Sequence, residues 1–211
     1  MSPDPPPPIV YAIVPVAGLD GAKSRLGDVL DAEERQDLVL RLTDATIRAA
    51  VDTAAIAETL VVTPDDTVRA LALAAGARPM RQRSRGLNAG LREARAEALA
   101  AGATAMLILP IDLPRVSPAA LGALIATLRD HAVPVVAIVP DRHGRGTNAL
   151  LLAPPDVIDV HFGGASRAAH AAAAAAAGAD YIELDGPLRH DLDTPDDLLV
   201  AQAHHANRLG G

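Results

Sequence analysis

The residues of this 211-residue chain that could do chemistry sit in a few turns marked by glycine and proline. One is Leu109-Pro110-Ile111-Asp112-Leu113-Pro114, where a carboxylate follows an apolar run and two prolines fix the turn around it. A carboxylate so placed suits a hard cation, because magnesium takes one or two carboxylates and completes its shell with water and ligand phosphates. The plainer reading of Asp112 is a turn carboxylate that accepts from backbone N–H groups. The flanking prolines weigh against it, since they aim the side chain. Asp191 and Asp193, in Asp191-Leu192-Asp193-Thr194-Pro195, are the partner carboxylates; two apart, they share a face if the stretch is extended. The competing reading makes Asp193 part of a helix entry, with Thr194 as N-cap and Pro195 at the first helical position. Spacing alone does not bring Asp191 to Asp112.

Two further segments could meet phosphate or nucleotide. Val14 to Leu26 (VPVAGLDGAKSRL) is a loop with Gly18 and Gly21 that presents Lys23, Ser24 and Arg25. Backbone N–H groups of such a loop can approach phosphates closely, and Lys23 and Arg25 would neutralise charge on a departing pyrophosphate. It is neither a G-x-x-x-x-G-K-[ST] loop nor G-x-G-x-x-G, and a solvated basic loop explains it equally well. Arg85 to Leu91 (RGLNAGL) offers Asn88 and nearby backbone to a base or ribose; the structural alternative is a helix start capped by Asn88. The seven histidines do not form a metal set, no G-x-S-x-G elbow occurs, and no cysteine is available as nucleophile or ligand.

The elements that must position these groups alternate between strand and helix. Buried strands are expected at Ile9–Val14, Thr59–Val62, Ala105–Leu109 and Val135–Val139, and weaker ones at Ala77–Met80, Asn148–Leu152 and Tyr181–Leu184. Asp31 with Glu34 has the spacing of a capping box and opens a long helix. A helix follows Thr63-Pro64-Asp65-Asp66, another runs from Leu87 to Ala101, and Ser117-Pro118 starts a fourth. Ala171–Ala177 lies in a helix after Phe162-Gly163-Gly164-Ala165-Ser166, and a last helix follows Pro195. This order predicts a three-layer α/β/α domain over residues 9–211 with a mostly parallel sheet, and the late stretch is expected to add an antiparallel edge. Ligands of such sheets lie beyond the carboxyl ends of the strands, where Asp112 and both loops fall.

Composition narrows the function classes. Half the residues are hydrophobic, yet Tyr11, Phe162 and Tyr181 are the only aromatics, so the core is expected to be aliphatic, and the composition argues against base-stacking surfaces for nucleic acid. The net charge of −7 and the lack of a basic run beyond Arg78, Arg81, Arg83 and Arg85 argue against a nucleic-acid partner. No apolar run has the length of a membrane span, and residues 1–8 (MSPDPPPP) read as a disordered, proline-rich arm rather than a secretory signal, which points to the cytoplasm.

VPVAGLDGAKSRL, RGLNAGL, ILPIDLP, DRHGRGTNAL, FGGASRAAH and DLDTPDDL occur in this order across nearly the whole chain. Together they resemble the 2-phospho-L-lactate/phosphoenolpyruvate guanylyltransferases, which make the activated precursor of the deazaflavin coenzyme F-420. The resemblance implies a nucleotidyltransferase fold like that of the sugar-activating enzymes. It implies a reaction of GTP with phosphoenolpyruvate or 2-phospholactate that releases pyrophosphate. It also implies Mg2+ on Asp112 and Asp191, with Asp193 close by. Main-chain N–H groups of Thr147 and Gly163, and the side chain of Ser166, match positions that hold the acid. The glycines beside Thr147 and at Gly163-Gly164 allow close backbone approach, and Ser166 begins a helix whose N-terminus favours an anion. The family's V-P-x-K pattern fails at Ala17, which removes one phosphate-facing charge that Arg81, Arg83 or Arg85 could replace. The expected partners are GTP and a small phosphorylated carboxylic acid, with a homodimer and hand-off of the product to a downstream transferase as further expectations. Two other readings stay open: a nucleotidyltransferase for another acceptor (3-phosphoglycerate, a sugar phosphate or molybdopterin), and a non-catalytic nucleotide-binding partner protein.

Overall fold

The computed structural model describes residues 6–19, 26–192 and 194–199. Most of the expected arm, residues 1–5, lies outside that range; residues 6–8 are exposed and have no regular structure. Seven strands follow in chain order: β1 Val10–Pro15, β2 Ile56–Thr63, β3 Arg78–Arg81, β4 Ala105–Ile108, β5 Val135–Pro140, β6 Thr147–Ala153 and β7 Asp180–Glu183. They form one sheet in the order β3-β2-β1-β4-β6-β5-β7. All pairings are parallel except those of β6, which runs antiparallel to both β4 and β5.

The antiparallel strand is therefore inside the sheet and not at its edge, which corrects the expectation. The turn at 141–146 is too short for a crossover, so the chain can only fold back beside β5. β6 is also buried along its whole length (TNALLLA), which suits an interior strand. The edge goes to β7, parallel to β5 and exposed at Asp180 and Glu183. Register sets Ile13 beside Ile108 and Ile108 beside Leu150. The carboxyl ends of β1, β4 and β5 thus share one edge with the first residue of β6, Thr147.

Helices α1 Ala32–Val51, α2 Asp66–Ala74, α3 Leu87–Ala100, α4 Pro118–Ala126 and α5 Ser166–Ala177 cover the sheet. Asp31 and Glu34 exchange both arms of the capping box at 2.9 Å. The Asp65 carboxylate accepts from the N–H of Thr67 at 2.8 Å, and Ser117 caps α4 ahead of Pro118. Strand alternation divides the core into two. Val10, Ala12, Val14 and Leu107 meet Ile47, Val68, Leu121 and Leu124 from α1, α2 and α4. On the other face Tyr11, Ile13, Met106 and Ile108 meet Leu91, Ala94 and Ala98 of α3 and Ala174 of α5. Alanines supply the α3 and α5 side of this second layer, so both layers are mainly aliphatic, with Tyr11 the one buried aromatic among the described residues.

Leu107 is fully buried on the central strand, and Leu73 is 65 % exposed. Leu107→Ala is expected to cost about 3 kcal/mol through lost burial and a cavity. Leu73→Ala should stay within about 0.5 kcal/mol. Urea unfolding of both variants checks this.

Candidate active site

The turn after β4 is held at both ends. Leu109 N–H donates to the carbonyl of Ile13 at 2.9 Å, and Leu113 is buried beneath the turn. Asp112, between them, is half-buried at the edge of the sheet. The chain returns to this point after β7. The carbonyl of Leu188 accepts from the buried Asn148 amide at 3.0 Å. Leu192 N–H then donates to the carbonyl of Asp112 at 2.8 Å, and its side chain is buried with Leu26, Leu38 and Leu42. This bond sets the Asp191 turn beside the Asp112 turn, the meeting that spacing did not reveal. Oδ1 of Asp191 is buried. Asp193, Lys23 and Arg25 lie outside the described residues, so their expected roles have no geometry to report.

The helix entry expected after Asp193 is present. Thr194 N–H and Oγ1 both donate to Asp197 Oδ2 at 2.8 Å, and the helix runs over residues 195–199. Arg142 grips the same carboxylate, with Nη2 at 3.0 Å from Oδ2 and Nη1 on Oδ1. The β5–β6 turn is thereby tied to the segment that follows Asp191.

The three residues matched to the acid substrate come from two other pieces of chain. In the β5–β6 turn Asp141 accepts from Arg145 N–H at 2.8 Å, and a Cβ on Gly146 would stand 2.7 Å from Asp141 Oδ2. A side chain there would have to push the Asp141 carboxylate aside, and Thr147 follows. Arg167 N–H donates to the carbonyl of Arg145 at 3.1 Å, and its Nη1 donates to that of Gly144 at 3.1 Å. Its Nε and Nη2 hold Glu183 at 2.8 Å each, which keeps that carboxyl below its ordinary range. Arg167 thus clamps the start of α5, where Ser166 lies, to the turn that leads to Thr147. Ser166 N–H closes a tight turn on the carbonyl of Gly163 at 3.1 Å; Gly163 has φ +151°, which a side chain would strain.

Asn88 is not the cap of α3; Gly86 takes that position at φ +94°. The Asn88 amide instead brackets Phe162, donating to its carbonyl at 3.0 Å and accepting from its N–H at 2.8 Å. It secures the strand of loop that leads into Gly163. Of the arginines considered for Ala17, Arg81 is bound to Asp66, and Arg83 Nε is 3.8 Å from Glu93. Arg85 is exposed, as is Ala17.

One participant was missed. His170 is fully buried on α5; its Nε2 accepts from His161 N–H at 3.2 Å and its Nδ1 is 3.1 Å from Thr147 Oγ1. The Phe162 ring meets it edge-on at 5.4 Å. The sequence held one signal: His170 is four residues after Ser166, hence on the same helical face. Burial, and then the neighbouring His161, push the His170 imidazole down to about 4.

This sheet, with the Asp112 turn and glycine turns at its carboxyl edge, has the fold seen in nucleotidyltransferases. A nucleotidyl transferase from Methanothermobacter shares the fold with a TM-score of 0.68 at 19% identity, covering 95% of this chain and 99% of that one. A Desulfovibrio desulfuricans protein described as a nucleotide-diphospho-sugar transferase aligns with a TM-score of 0.73 at 16% identity, over 90% and 85% of the two chains. The family model described as "Guanylyl transferase CofC like" matches residues 10–208, and the chain belongs to that family. It is similar to the phosphoenolpyruvate guanylyltransferase of Rubrobacter xylanophilus, 42% identical over 195 residues that span 92% of this chain and 94% of the relative. The enzyme of the same name from Sphaerobacter thermophilus is 41% identical over 194 residues, 92% of each chain. Among the described residues no helix is long and apolar enough to cross a membrane.

The imidazole value has a consequence for stability. An unfolded chain carries the ordinary imidazole, so between about pH 6.5 and pH 4 it binds a proton that folded His170 refuses. Stability therefore falls as pH drops through that window. The contribution of His170 is about 3 kcal/mol over the whole range. Urea unfolding at pH 7 and pH 4.5 should show a smaller pH dependence in His170→Gln than in the native protein.

Proposed function

We propose that this guanylyltransferase joins GTP to phosphoenolpyruvate and releases pyrophosphate, a step in making coenzyme F-420. The observation that carries the reading is the bond from Leu192 N–H to the Asp112 carbonyl, which holds two carboxylate-bearing turns together at the ligand edge of the sheet. A phosphate oxygen of the acid attacks the α-phosphorus of GTP. The bond from that phosphorus to the bridging oxygen breaks, and its electron pair leaves with pyrophosphate. The acceptor phosphate is already a nucleophile, so no covalent enzyme intermediate is needed.

Nucleotidyltransferases generally work with a divalent metal; among the described residues no three metal-binding side chains cluster, and the donors available are the half-buried carboxylates of Asp112 and Asp191, a pair that suits a hard cation completing its shell with water and ligand phosphates. In this reading Asp112 and Asp191, with Asp193 close by, hold Mg2+, which when bound neutralises charge on the α-phosphate and the leaving group. Lys23 and Arg25 of the first loop serve the departing pyrophosphate. Main-chain N–H groups of Thr147 and Gly163 and the Ser166 hydroxyl hold the acid, supported by the positive end of the α5 dipole. The first turn of α3 around Asn88 faces the nucleotide through its backbone, while the Asn88 amide steadies the acid loop. Phosphoenolpyruvate is preferred over 2-phospholactate because the similar enzymes bear its name. The product, a diphosphate-linked acid, is an activated donor suited to hand-off to a downstream transferase, and pairing as a homodimer belongs to the same reading.

The test is pyrophosphate release from each nucleoside triphosphate with Mg2+ and a panel of acids: phosphoenolpyruvate, 2-phospholactate, 3-phosphoglycerate. Turnover is expected with GTP and phosphoenolpyruvate, and its absence with both leading acids would refute the assignment. Asp112→Ala should lower kcat by about a thousandfold, or ~4 kcal/mol, with the unfolding midpoint little changed. Near-native activity in that variant would remove Asp112 from the metal.

A further inference from the structure

We infer that His170 is a positioning residue that turns the Thr147 hydroxyl into an obligatory hydrogen-bond donor toward an anionic oxygen of the acid substrate. The inference rests on the reading of Thr147, Gly163 and Ser166 as the acid site and adds a residue and a polarity to it.

A backbone N–H has a proton to give and nothing to accept with, so the bond from His161 N–H at 3.2 Å makes Nε2 the lone-pair nitrogen. A neutral imidazole carries its single proton on the other nitrogen. Nδ1–H therefore donates to Thr147 Oγ1 across 3.1 Å. With that acceptor role filled, the hydroxyl proton of Thr147 is left to point to another acceptor. Phosphate and carboxylate oxygens offer acceptors only, so the arrangement suits the ionised acid. Burial and two hydrogen bonds hold the ring in this orientation: the imidazole is fully buried, the Phe162 ring lies against it with centroids 5.4 Å apart, and Asn88 holds the Phe162 backbone. The same ring spans both acid-binding pieces: one nitrogen holds the loop that leads to Gly163, and the other holds the first residue of β6. Ser166, one helical turn before His170, shares this face of α5.

The test separates the two nitrogens. His170→Asn keeps an amide N–H near Nδ1 and loses the acceptor for His161. His170→Gln keeps an acceptor near Nε2 and frees the Thr147 hydroxyl. In the guanylyl transfer assay, His170→Gln is expected to raise KM for the acid about tenfold, the worth of one hydrogen bond to a charged group. His170→Asn should raise it no more than about threefold, and KM for GTP should stay within about twofold in both. Thr147→Val should match the tenfold loss, and Thr147→Ser should restore the native value. Nitrogen-15 NMR of the labelled native protein at neutral pH gives an answer independent of turnover: the proton should sit on Nδ1. A proton on Nε2 would overturn the inference, as would equal KM increases for both substrates in proportion to lost stability. Turnover by the native protein with an unchanged acid KM in His170→Gln would overturn it alone. Failure of the native protein to use any acid would instead remove the acid-site reading, and the inference with it.

Discussion

The site depends on a strand that runs the wrong way. β6 enters the sheet antiparallel between β4 and β5, so it begins where its neighbours end. Its first residue, Thr147, therefore stands at the ligand edge beside the turn that carries Asp112. An all-parallel sheet would have put Thr147 at the opposite edge, far from every carboxyl end. The reversal also forces the compact 141–146 turn, in which the Asp141 carboxylate lies against Gly146 and closes the backbone on itself.

Around that strand, a few long-range bonds do what secondary structure cannot. Leu192 N–H on the Asp112 carbonyl brings the last segment back to the centre of the sheet. Arg142 on Asp197 ties that segment to the β5–β6 turn, and Arg167 ties the same turn to α5 and β7. Asn88 and His170 hold successive residues of the 161–166 loop. Each tie uses a polar group on a backbone carbonyl, a backbone N–H or a carboxylate, and where the partner is buried, as at Asp197, an unmade bond would be costly. Among the described residues, the 109–114, 141–146 and 161–166 segments are thus each tied to the scaffold by hydrogen bonds.

Much of this was legible locally. Asp31 with Glu34, Asp65 before its helix, Ser117-Pro118 and Thr194-Pro195 carry their capping chemistry within four residues, and each helix starts where expected. The continuous apolar runs at Val10, Ala105 and Val135 became strands buried on both faces. Beyond the place of β6 in the sheet, what local spacing did not reveal has one cause, that a residue's partner is distant in sequence. Asn88 looks like a cap by type and place, but Phe162 takes its amide. His170 looks like part of an unremarkable alanine helix, and only Thr147 and His161 give its two nitrogens their roles.

Residue types and short-range spacing were enough to determine that this chain would build aliphatic strands under alanine-rich helices, and that carboxylates, glycines and a basic loop would fall at strand ends. Those choices rest on periodicity, caps and turns, which act over a few residues. Tertiary structure alone decided that β6 lies inside the sheet, that the Asp191 turn rests on Asp112, and that a buried histidine directs Thr147. These depend on hydrogen bonds between residues far apart along the chain, and such bonds exist only once the whole sheet has set their distance and direction.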